Sequence, residues 1–345
     1  MREDLDIEQP QALREYLVRS EHVAPDEPLS IHILAGGVSN RTVLVERPSG
    51  EAWVLKQALP KLRVPVDWFS DPRRIEREVL GLRWLSRLAP AGSITPLVFE
   101  DPRHHLLAMQ AVPQPHENWK TQLLSGRLDP NCVAQFGQLI GTIHCRAYRD
   151  RDLLQPVFAD RSYFESLRIE PYYAYTASQV PQARSFLHRL IEETRANPLT
   201  LVHGDYSPKN ILVHQGALVL LDHEVIHFGD PAFDIGFSLT HLLSKAHYLS
   251  RLRAAFADAA LHYWRAYLER AGDVARSAGL EERAVRHTLG CLLARVAGRS
   301  VLEYFGLEHR TRQREIVLSL MASAPPTVSE LVRRFISGLS SHVNH

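Results

Sequence analysis

Apolar residues in the first third of the chain fall into short runs that Gly, Pro and Ser residues separate. Short runs rich in β-branched residues and bounded by turn residues are typical of β-strands. They predict five strands, at residues 30–34, 42–46, 52–56, 94–99 and 106–111. Two other segments carry apolar residues three and four positions apart, which predicts amphipathic helices at residues 10–19 and 70–88.

Helical spacing of apolar residues dominates the remainder of the chain. It predicts helices at residues 129–146, 182–193, 237–244, 247–271, 281–305 and 328–337. One stretch interrupts this pattern: two short apolar runs, 211–213 and 218–221, flank a Gln215-Gly216 turn, which predicts a β-hairpin. A sheet-forming first part followed by a helical second part predicts an α+β protein.

Length and composition agree with an ordinary globular enzyme. The chain has 345 residues, of which 45% are apolar and 23% charged, so two lobes with a sizeable core are expected. The net charge of +1 gives no reason to expect binding to nucleic acid or to a membrane. The charged start and the lack of a long apolar run predict a cytoplasmic protein. Three cysteines without CxxC spacing, Cys132, Cys145 and Cys291, are expected to be reduced thiols.

The candidate chemistry lies in residues 201–236, where polar side chains stand at turns. Asp205 follows Gly204 on a loop, Asn210 comes five residues later, and Asp222 ends the predicted hairpin. The hairpin would bring Asp222 beside Asn210, and two such side-chain oxygens suit Mg²⁺ with phosphate and water as its other ligands. Asp205 would then face an incoming hydroxyl group.

A zinc or di-metal hydrolase site is the alternative interpretation of this stretch. His203, Asp205, His223 and Glu224 are residue types that such metals accept as ligands. This interpretation leaves Asn210 and the amino-terminal features unexplained.

The amino-terminal features are a glycine turn and a lysine at the end of a strand. Gly36 and Gly37 allow backbone amides to approach a polyphosphate closely, and Ser39 and Asn40 add donors, although a plain hairpin turn would look the same. Lys56 ends the next predicted strand, at the position of a kinase lysine that pairs with nucleotide phosphates.

A carboxylate from the helix at 70–88 would orient that lysine. Glu76 and Glu78 are both candidates, and because they are two positions apart they cannot face the same way.

The motifs HGDYSPKN and LDHEVIHFGDPAFDIG resemble those of the aminoglycoside phosphotransferase and choline kinase-like family of small-molecule kinases. The resemblance implies a bilobal protein-kinase-like fold, with a small antiparallel-sheet lobe carrying one main helix at residues 1–113 and a larger, mostly helical lobe at residues 114–345. It implies that Asp205 is the catalytic carboxylate and that Asn210 and Asp222 hold Mg²⁺.

Further roles follow from the same resemblance. The family pattern R-E-x-x-x-L favours Glu76 as the partner of the nucleotide lysine. The adenine ring would dock on the connector that contains Gln110 and Val112. His203 and Asp234 would brace the catalytic loop.

The stretch VLKQALPKLRVPVDWFSDPRRIEREVL resembles methylthioribose kinases more narrowly. That likeness weakens in the second half, where Asn210 and the Asp222-His223-Glu224 turn depart from the subfamily. Glu224, Arg295 and Arg299 are then candidate substrate residues. Residues 241–345 carry fifteen Lys and Arg against nine Asp and Glu, which favours a neutral or anionic substrate over a polycationic one.

These observations predict a kinase that uses ATP, or GTP, with Mg²⁺ to phosphorylate a hydroxyl of a small sugar-like metabolite. An antibiotic phosphotransferase, acting on an aminoglycoside for example, is one alternative. A non-catalytic nucleotide-binding protein of the same fold is another. A monomer or a homodimer is expected, with a small molecule as the partner.

Overall fold

The computed structural model describes residues 5–34, 37–63 and 67–340. Its first part is an antiparallel sheet with two helices, and its second part is mostly helical. The predicted lobe boundary near residue 113 falls between the last strand of the sheet and the next strand, and it stays a prediction.

The first part consists of one five-stranded sheet and two helices. Its elements are α1 (Pro10–Arg19), β1 (Ser30–Ile33), β2 (Asn40–Glu46), β3 (Ala52–Ala58), α2 (Arg74–Leu88), β4 (Leu97–Asp101) and β5 (Leu106–Gln110). The strand order is β1-β2-β3-β5-β4, and every neighbouring pair is antiparallel.

Alternation along β3 decides where its lysine points. Trp53 and Leu55 belong to the apolar cluster that α1 covers, whereas Val54 packs in the cluster that α2 covers. Side chains two positions apart share one face of a strand, so Lys56 lies on the same face as Val54. The sequence thus directs this lysine towards α2.

Helix α2 begins four residues later than the predicted span. The Asp71 carboxylate accepts a hydrogen bond from the backbone N–H of Arg73 at 2.9 Å and also binds the Arg73 guanidinium. An Asp that bonds the backbone two residues on forms a turn instead of continuing a helix. The helix therefore starts at Arg74.

The second part contains seven more regular elements before the catalytic hairpin and eight from it onwards, by chain order of the described residues. The first group comprises β6 (His116–Asn118), α3 (Trp119–Leu124), α4 (Pro130–Arg149), α5 (Arg151–Val157), α6 (Ser162–Phe164), α7 (Tyr175–Gln179) and α8 (Arg184–Ala196). A π-helical segment, Glu165–Ala174, links α6 to α7. The second group comprises β7 (Thr200–Val202), β8 (Ile211–His214), β9 (Ala217–Leu220), β10 (His227–Gly229), α9 (Ala232–Tyr248), α10 (Arg253–Ala271), α11 (Leu280–Ala297), α12 (Leu307–Ala322) and α13 (Val328–Ser340), the first of which, β7, precedes the hairpin.

Close helix packing holds the second part together. Helix α4 lies against α10, and a Cβ atom at Gly137 would come within 2.5 Å of the Tyr263 carbonyl oxygen. One turn further on, a Cβ at Gly141 would come within 2.7 Å of the Tyr267 carbonyl oxygen. The two glycines therefore permit a backbone contact that larger residues would prevent.

The sequence placed the carboxyl-terminal helices less accurately. Helix α11 ends at Ala297, eight residues before the predicted end, because Gly298 adopts an extended backbone. Helix α12 was missed, and its buried residues are only Gln313, Ile316, Val317 and Leu320. Such a sparse buried face gives a weak periodic signal. Among the described residues, no helix is long and apolar enough to cross a membrane.

Candidate active site

The loop that carries Asp205 is fixed by a carboxylate from α9. Asp234, in the first turn of that helix, accepts hydrogen bonds from the backbone N–H groups of His203 at 2.7 Å and Gly204 at 2.8 Å. Gly204 has φ of +77°, a conformation that glycine adopts without strain. Burial alone would raise the pKa of Asp234, but His144, His203 and the loop hydrogen bonds lower it, so this carboxylate is an ionised acceptor.

Asn210 and Asp205 are in direct contact. The side-chain N–H of Asn210 donates to the Asp205 carbonyl oxygen at 3.0 Å and to Asp205 Oδ2 at 2.8 Å. With its nitrogen turned towards Asp205, the amide presents its oxygen elsewhere. An oxygen held in this way can serve as a metal ligand.

Arg168 also holds the Asp205 carboxylate, and sequence reasoning missed it. The guanidinium lies 2.9 Å from Asp205 Oδ2 and donates to the Gly204 carbonyl oxygen at 2.9 Å. Arg168 sits in the π-helical segment Glu165–Ala174, an aromatic-rich stretch that lacks a spacing motif. Only the tertiary fold brings this arginine to the loop, so the sequence carried no signal for it.

Lys56 connects the two parts of the molecule. Its Nζ atom lies 3.0 Å from Asp222 Oδ1, at the end of the catalytic hairpin, and 2.6 Å from Glu78 Oε1 on α2. The hairpin itself is confirmed, with β8 and β9 paired in antiparallel register.

Glu78, and not Glu76, is the partner of Lys56, so the expectation for Glu76 is wrong. Ile75, Glu78, Val79 and Leu82 are all buried and follow the i, i+3, i+4, i+7 spacing of one helix face. Glu76 is exposed. The family-like R-E-x-x-x-L pattern misled the assignment, whereas the helical face alone selects Glu78.

The three charges define the electrostatics of the cleft. Burial alone would lower the pKa of Lys56, but Asp222 and Glu78 raise it well above its usual value. Burial alone would raise the pKa of Asp222, but Lys56 and Lys209 hold it well below its usual range. Burial raises the pKa of Glu78 to about 7 against the opposing effect of Lys56. Lys56 is therefore cationic and Asp222 anionic at neutral pH.

The predicted glycine turn is described only in part. Gly36 lies outside the described residues. Gly37 is exposed, and Ser39 and Asn40 are buried. The Arg74 guanidinium, fully buried, donates to the Ser39 carbonyl oxygen and lies 3.5 Å from Asn40 Oδ1. The role of the turn in phosphate binding stays a prediction.

Glu224 is the other partner of Arg74. The Glu224 carboxylate accepts a hydrogen bond from Arg74 Nε at 3.1 Å, and both side chains are buried. Glu224 thereby supports the arginine that holds Ser39. Its predicted contact with the acceptor stays a prediction.

The other candidate binding residues lie apart from this centre. Gln110 ends β5 opposite Trp53, and Val112 is buried just beyond it. Arg295 donates to the Ser300 carbonyl and hydroxyl oxygens, both at 2.9 Å, and Arg299 donates to Glu170 at 3.2 Å. Their predicted contacts with nucleotide or acceptor stay predictions.

The zinc alternative does not fit the side-chain pairing. His203 Nε2 lies within hydrogen-bonding distance of His223 Nδ1, at 3.1 Å. Arg168 engages Asp205 and Arg74 engages Glu224. In residues 5–34, 37–63 and 67–340, no three His, Cys, Asp or Glu side chains are grouped so that they could hold a metal ion.

A strand lysine that an acidic residue of the covering helix orients, and that meets an aspartate at a hairpin end, is the arrangement of kinase-like phosphotransferases. Residues 30–274 match the sequence profile of the phosphotransferase enzyme family, the APH family, and the chain belongs to that family. This match confirms the enzyme class and the fold class that the sequence predicts.

Similar curated proteins are methylthioribose kinases. The enzyme of Pectobacterium atrosepticum is 26% identical over 225 residues, which cover 55% of this chain and 53% of that protein. The enzyme of Erwinia tasmaniensis is 26% identical over 218 residues, with the same coverage. The chain thus spans about half the length of the curated relatives it matches.

Solved structures of similar fold have lower sequence identity. The amicoumacin kinase hAmiN in complex with AMP-PNP, Ca²⁺ and Ami has a TM-score of 0.56 at 15% identity, covering 92% of this chain and 97% of that one. The macrolide 2′-phosphotransferase of Brachybacterium faecium has a TM-score of 0.53 at 17% identity, covering 91% and 99%. The Plasmodium vivax ethanolamine kinase has a TM-score of 0.56 at 13% identity, covering 90% and 88%. These likenesses show the fold alone.

Proposed function

We propose that the protein is an ATP- and Mg²⁺-dependent kinase that transfers the γ-phosphoryl group to a hydroxyl of a small, sugar-like molecule. The observation that carries this proposal is the 3.0 Å contact between Lys56 Nζ and Asp222 Oδ1. It aligns a cation of the sheet with the carboxylate of the catalytic hairpin. Nucleotide phosphates bound in this cleft would meet Lys56 on one side and metal-binding oxygens on the other.

The donor set near Asp222 fits Mg²⁺. The Asn210 amide oxygen and the Asp222 carboxylate are hard oxygen ligands, and the lowered pKa of Asp222 keeps it ionised. Asn210 and Asp222 would hold the ion, which when bound neutralises charge on the phosphates.

Asp205 acts on the acceptor. Arg168 and Asn210 both bind its Oδ2 atom, which leaves Oδ1 for the acceptor hydroxyl. Asp205 orients that hydroxyl and accepts its proton as the hydroxyl oxygen bonds to the γ-phosphorus. The bond from the γ-phosphorus to the β–γ bridging oxygen breaks in the same transfer, and ADP is the second product.

The remaining predicted binding residues complete the nucleotide site. The turn with Gly36, Gly37, Ser39 and Asn40 would cover the phosphates, and Arg74 supports it through Ser39. The base would dock on the connector at Gln110 and Val112. Backbone groups of a connector accept adenine or guanine in different pairings, so GTP is included as a donor in the test below.

The sugar-like acceptor is supported by the methylthioribose kinases, which are 26% identical to part of this chain. A non-catalytic nucleotide-binding protein is the less favoured function, because Lys56, Asp205 and Asp222 form one connected charged site here. An antibiotic phosphotransferase shares the same chemistry and differs only in the acceptor.

The test is an ADP-release assay with Mg²⁺ and either ATP or GTP. The acceptors are methylthioribose, other pentoses, amino alcohols, homoserine and aminoglycosides. We expect at least one sugar-like acceptor to raise ADP release tenfold or more over acceptor-free enzyme, by the usual size of acceptor-gated transfer, and EDTA to abolish it. Nucleotide that binds but is never turned over with any acceptor would favour the non-catalytic function, and turnover with aminoglycosides alone would favour the antibiotic phosphotransferase.

A further inference from the structure

Five basic side chains meet beside the catalytic loop in the helical part of the molecule. We call Lys120, Lys209, His241, Lys245 and Arg295 the basic cluster. Lys120 is on α3, Lys209 on the catalytic loop, His241 and Lys245 on α9, and Arg295 on α11. Four elements that are distant in sequence thus contribute cations to one place.

Lys245 is the most unusual member of the basic cluster. Its side chain is fully buried, and its Nζ atom donates to the His241 carbonyl oxygen at 3.3 Å. It also lies 5.9 Å from the centre of the Tyr304 ring. No carboxylate in the described part of the chain forms an ion pair with it. A buried ammonium group without an anionic partner is costly to desolvate.

The surroundings of Lys245 are net positive. Arg295 lies 3.2 Å from His241 Nε2, and Lys120 is paired with Glu303, the one carboxylate nearby in the described ranges that acts on Lys245. Burial lowers the pKa of Lys245 to about 7, Lys120 and Arg295 lower it further, and Glu303 opposes them. Burial and then Arg295, Lys245, Lys120 and Lys209 likewise hold the pKa of His241 well below its usual value.

Several buried polar atoms around the basic cluster have no partner among the described residues. They are Arg295 Nε, the Ser244 hydroxyl and the Tyr304 hydroxyl. Buried polar groups without partners are rare in folded proteins unless a water or a ligand bonds them. These atoms are all able to donate to an anion.

The basic cluster lies within reach of the catalytic aspartate. Helix α9 begins with Asp234, which braces the Asp205 loop, continues through Ser238, whose hydroxyl bonds the Tyr206 carbonyl oxygen at 3.1 Å, and reaches His241 and Lys245. At 1.5 Å per residue, Asp234 and Lys245 are about 16 Å apart along the axis, and side chains of a helix tilt back towards its start. A small acceptor could therefore touch both the catalytic loop and the basic cluster.

We propose that the basic cluster binds an anionic group, a carboxylate or a phosphate, carried by the acceptor in addition to the hydroxyl that is phosphorylated. This inference rests on the proposed function and names the class of its substrate. An anion would supply the partner that Lys245 lacks and would accept hydrogen bonds from Arg295 and Tyr304. It would also steer charged acceptors into the site.

The first test compares acceptors that differ only in the anionic group. Ribose is compared with ribonate and with ribose 5-phosphate, and glycerol with glycerate and with glycerol 3-phosphate, in the ADP-release assay. We expect a charged member to give kcat/KM about tenfold or more above its neutral partner, because hydrogen bonds to charged groups have effects of this size. The carboxylate and phosphate arms tell which anion is preferred. If no charged member exceeds its neutral partner, the inference is wrong.

The second test replaces Lys245 with Met, which keeps the length of the side chain and removes the charge. Because removal of a buried unpaired charge does not destabilise a fold, the variant should keep its melting temperature. We expect KM for the charged acceptor to rise about tenfold or more, with KM for ATP and kcat/KM for the neutral acceptor within about twofold of wild type. Arg314→Met, on an exposed part of α12, is the control for a change of one charge and should have no effect.

The two proposals fail in different ways. Phosphorylation of neutral acceptors that Lys245→Met leaves unchanged would overturn the anion site and leave the kinase in place. Absence of nucleotide binding and of Asp205-dependent turnover would overturn the kinase, and the anion site with it.

Discussion

Replacement of Asp205 by Asn is expected to lower kcat by about 10³-fold or more, while KM for ATP stays within about threefold of wild type. The change removes the group that accepts the acceptor proton, and proton transfer by a positioned side chain contributes 10²–10⁴-fold. Asn keeps the shape of Asp, so the hydrogen bond from Asn210 has an acceptor oxygen in the same place. The measurement is steady-state ADP release with the best acceptor, together with nucleotide binding by titration.

Stability has to be measured beside activity in that experiment, since Asn leaves the Arg168 guanidinium without its anionic partner. Asp258→Asn is the matched control, because it makes the same chemical change at an exposed position of α10. A folded Asp205→Asn enzyme with more than a tenth of wild-type kcat would contradict the assigned role.

Replacement of Lys56 by Met is expected to damage both nucleotide use and stability. Loss of the phosphate-binding cation should lower kcat/KM for ATP by about 100-fold or more. The free energy of unfolding should fall by about 3 kcal/mol, because the fully buried Glu78 loses its partner. Chemical denaturation and ADP release measure the two effects separately.

The double variant Lys56→Met/Glu78→Gln distinguishes them. Removal of both charges should restore most of the lost stability, since a neutral Gln is easier to bury than an unpaired carboxylate, and it should restore no activity. Glu76→Gln is the matched control on the same helix and should behave like wild type, because Glu76 is exposed. Equal effects of Glu76→Gln and Glu78→Gln on kcat/KM for ATP would show that the ion pair does not position Lys56.

The sequence predicted those parts of the site that depend on local structure. A hairpin of known length fixes Asp222 relative to Asn210, and alternation along β3 fixes the face on which Lys56 lies. The partner of Lys56 was also within reach, because the buried face of α2 includes Glu78 and excludes Glu76. A motif pattern was followed there in place of helical periodicity, and the assignment was wrong for that reason.

Other features depend on tertiary contacts that no local pattern encodes. Arg168 reaches Asp205 across 37 positions of sequence, from a π-helical segment. The pairing of Arg74 with Ser39 and Glu224 connects residues that lie up to 150 positions apart. Gly298 ends α11 because its Cβ-free backbone lies 2.5 Å from the Ala294 carbonyl oxygen, measured from where a Cβ would stand. Contacts of this kind depend on the complete fold.

The most direct test is a crystal structure of the protein with AMP-PNP and Mg²⁺. We predict that the phosphates contact Lys56 Nζ, that oxygens of Asn210 and Asp222 coordinate the metal, and that the γ-phosphorus faces Asp205 Oδ1. Nucleotide bound away from Lys56, or a metal that touches neither Asn210 nor Asp222, would contradict the account.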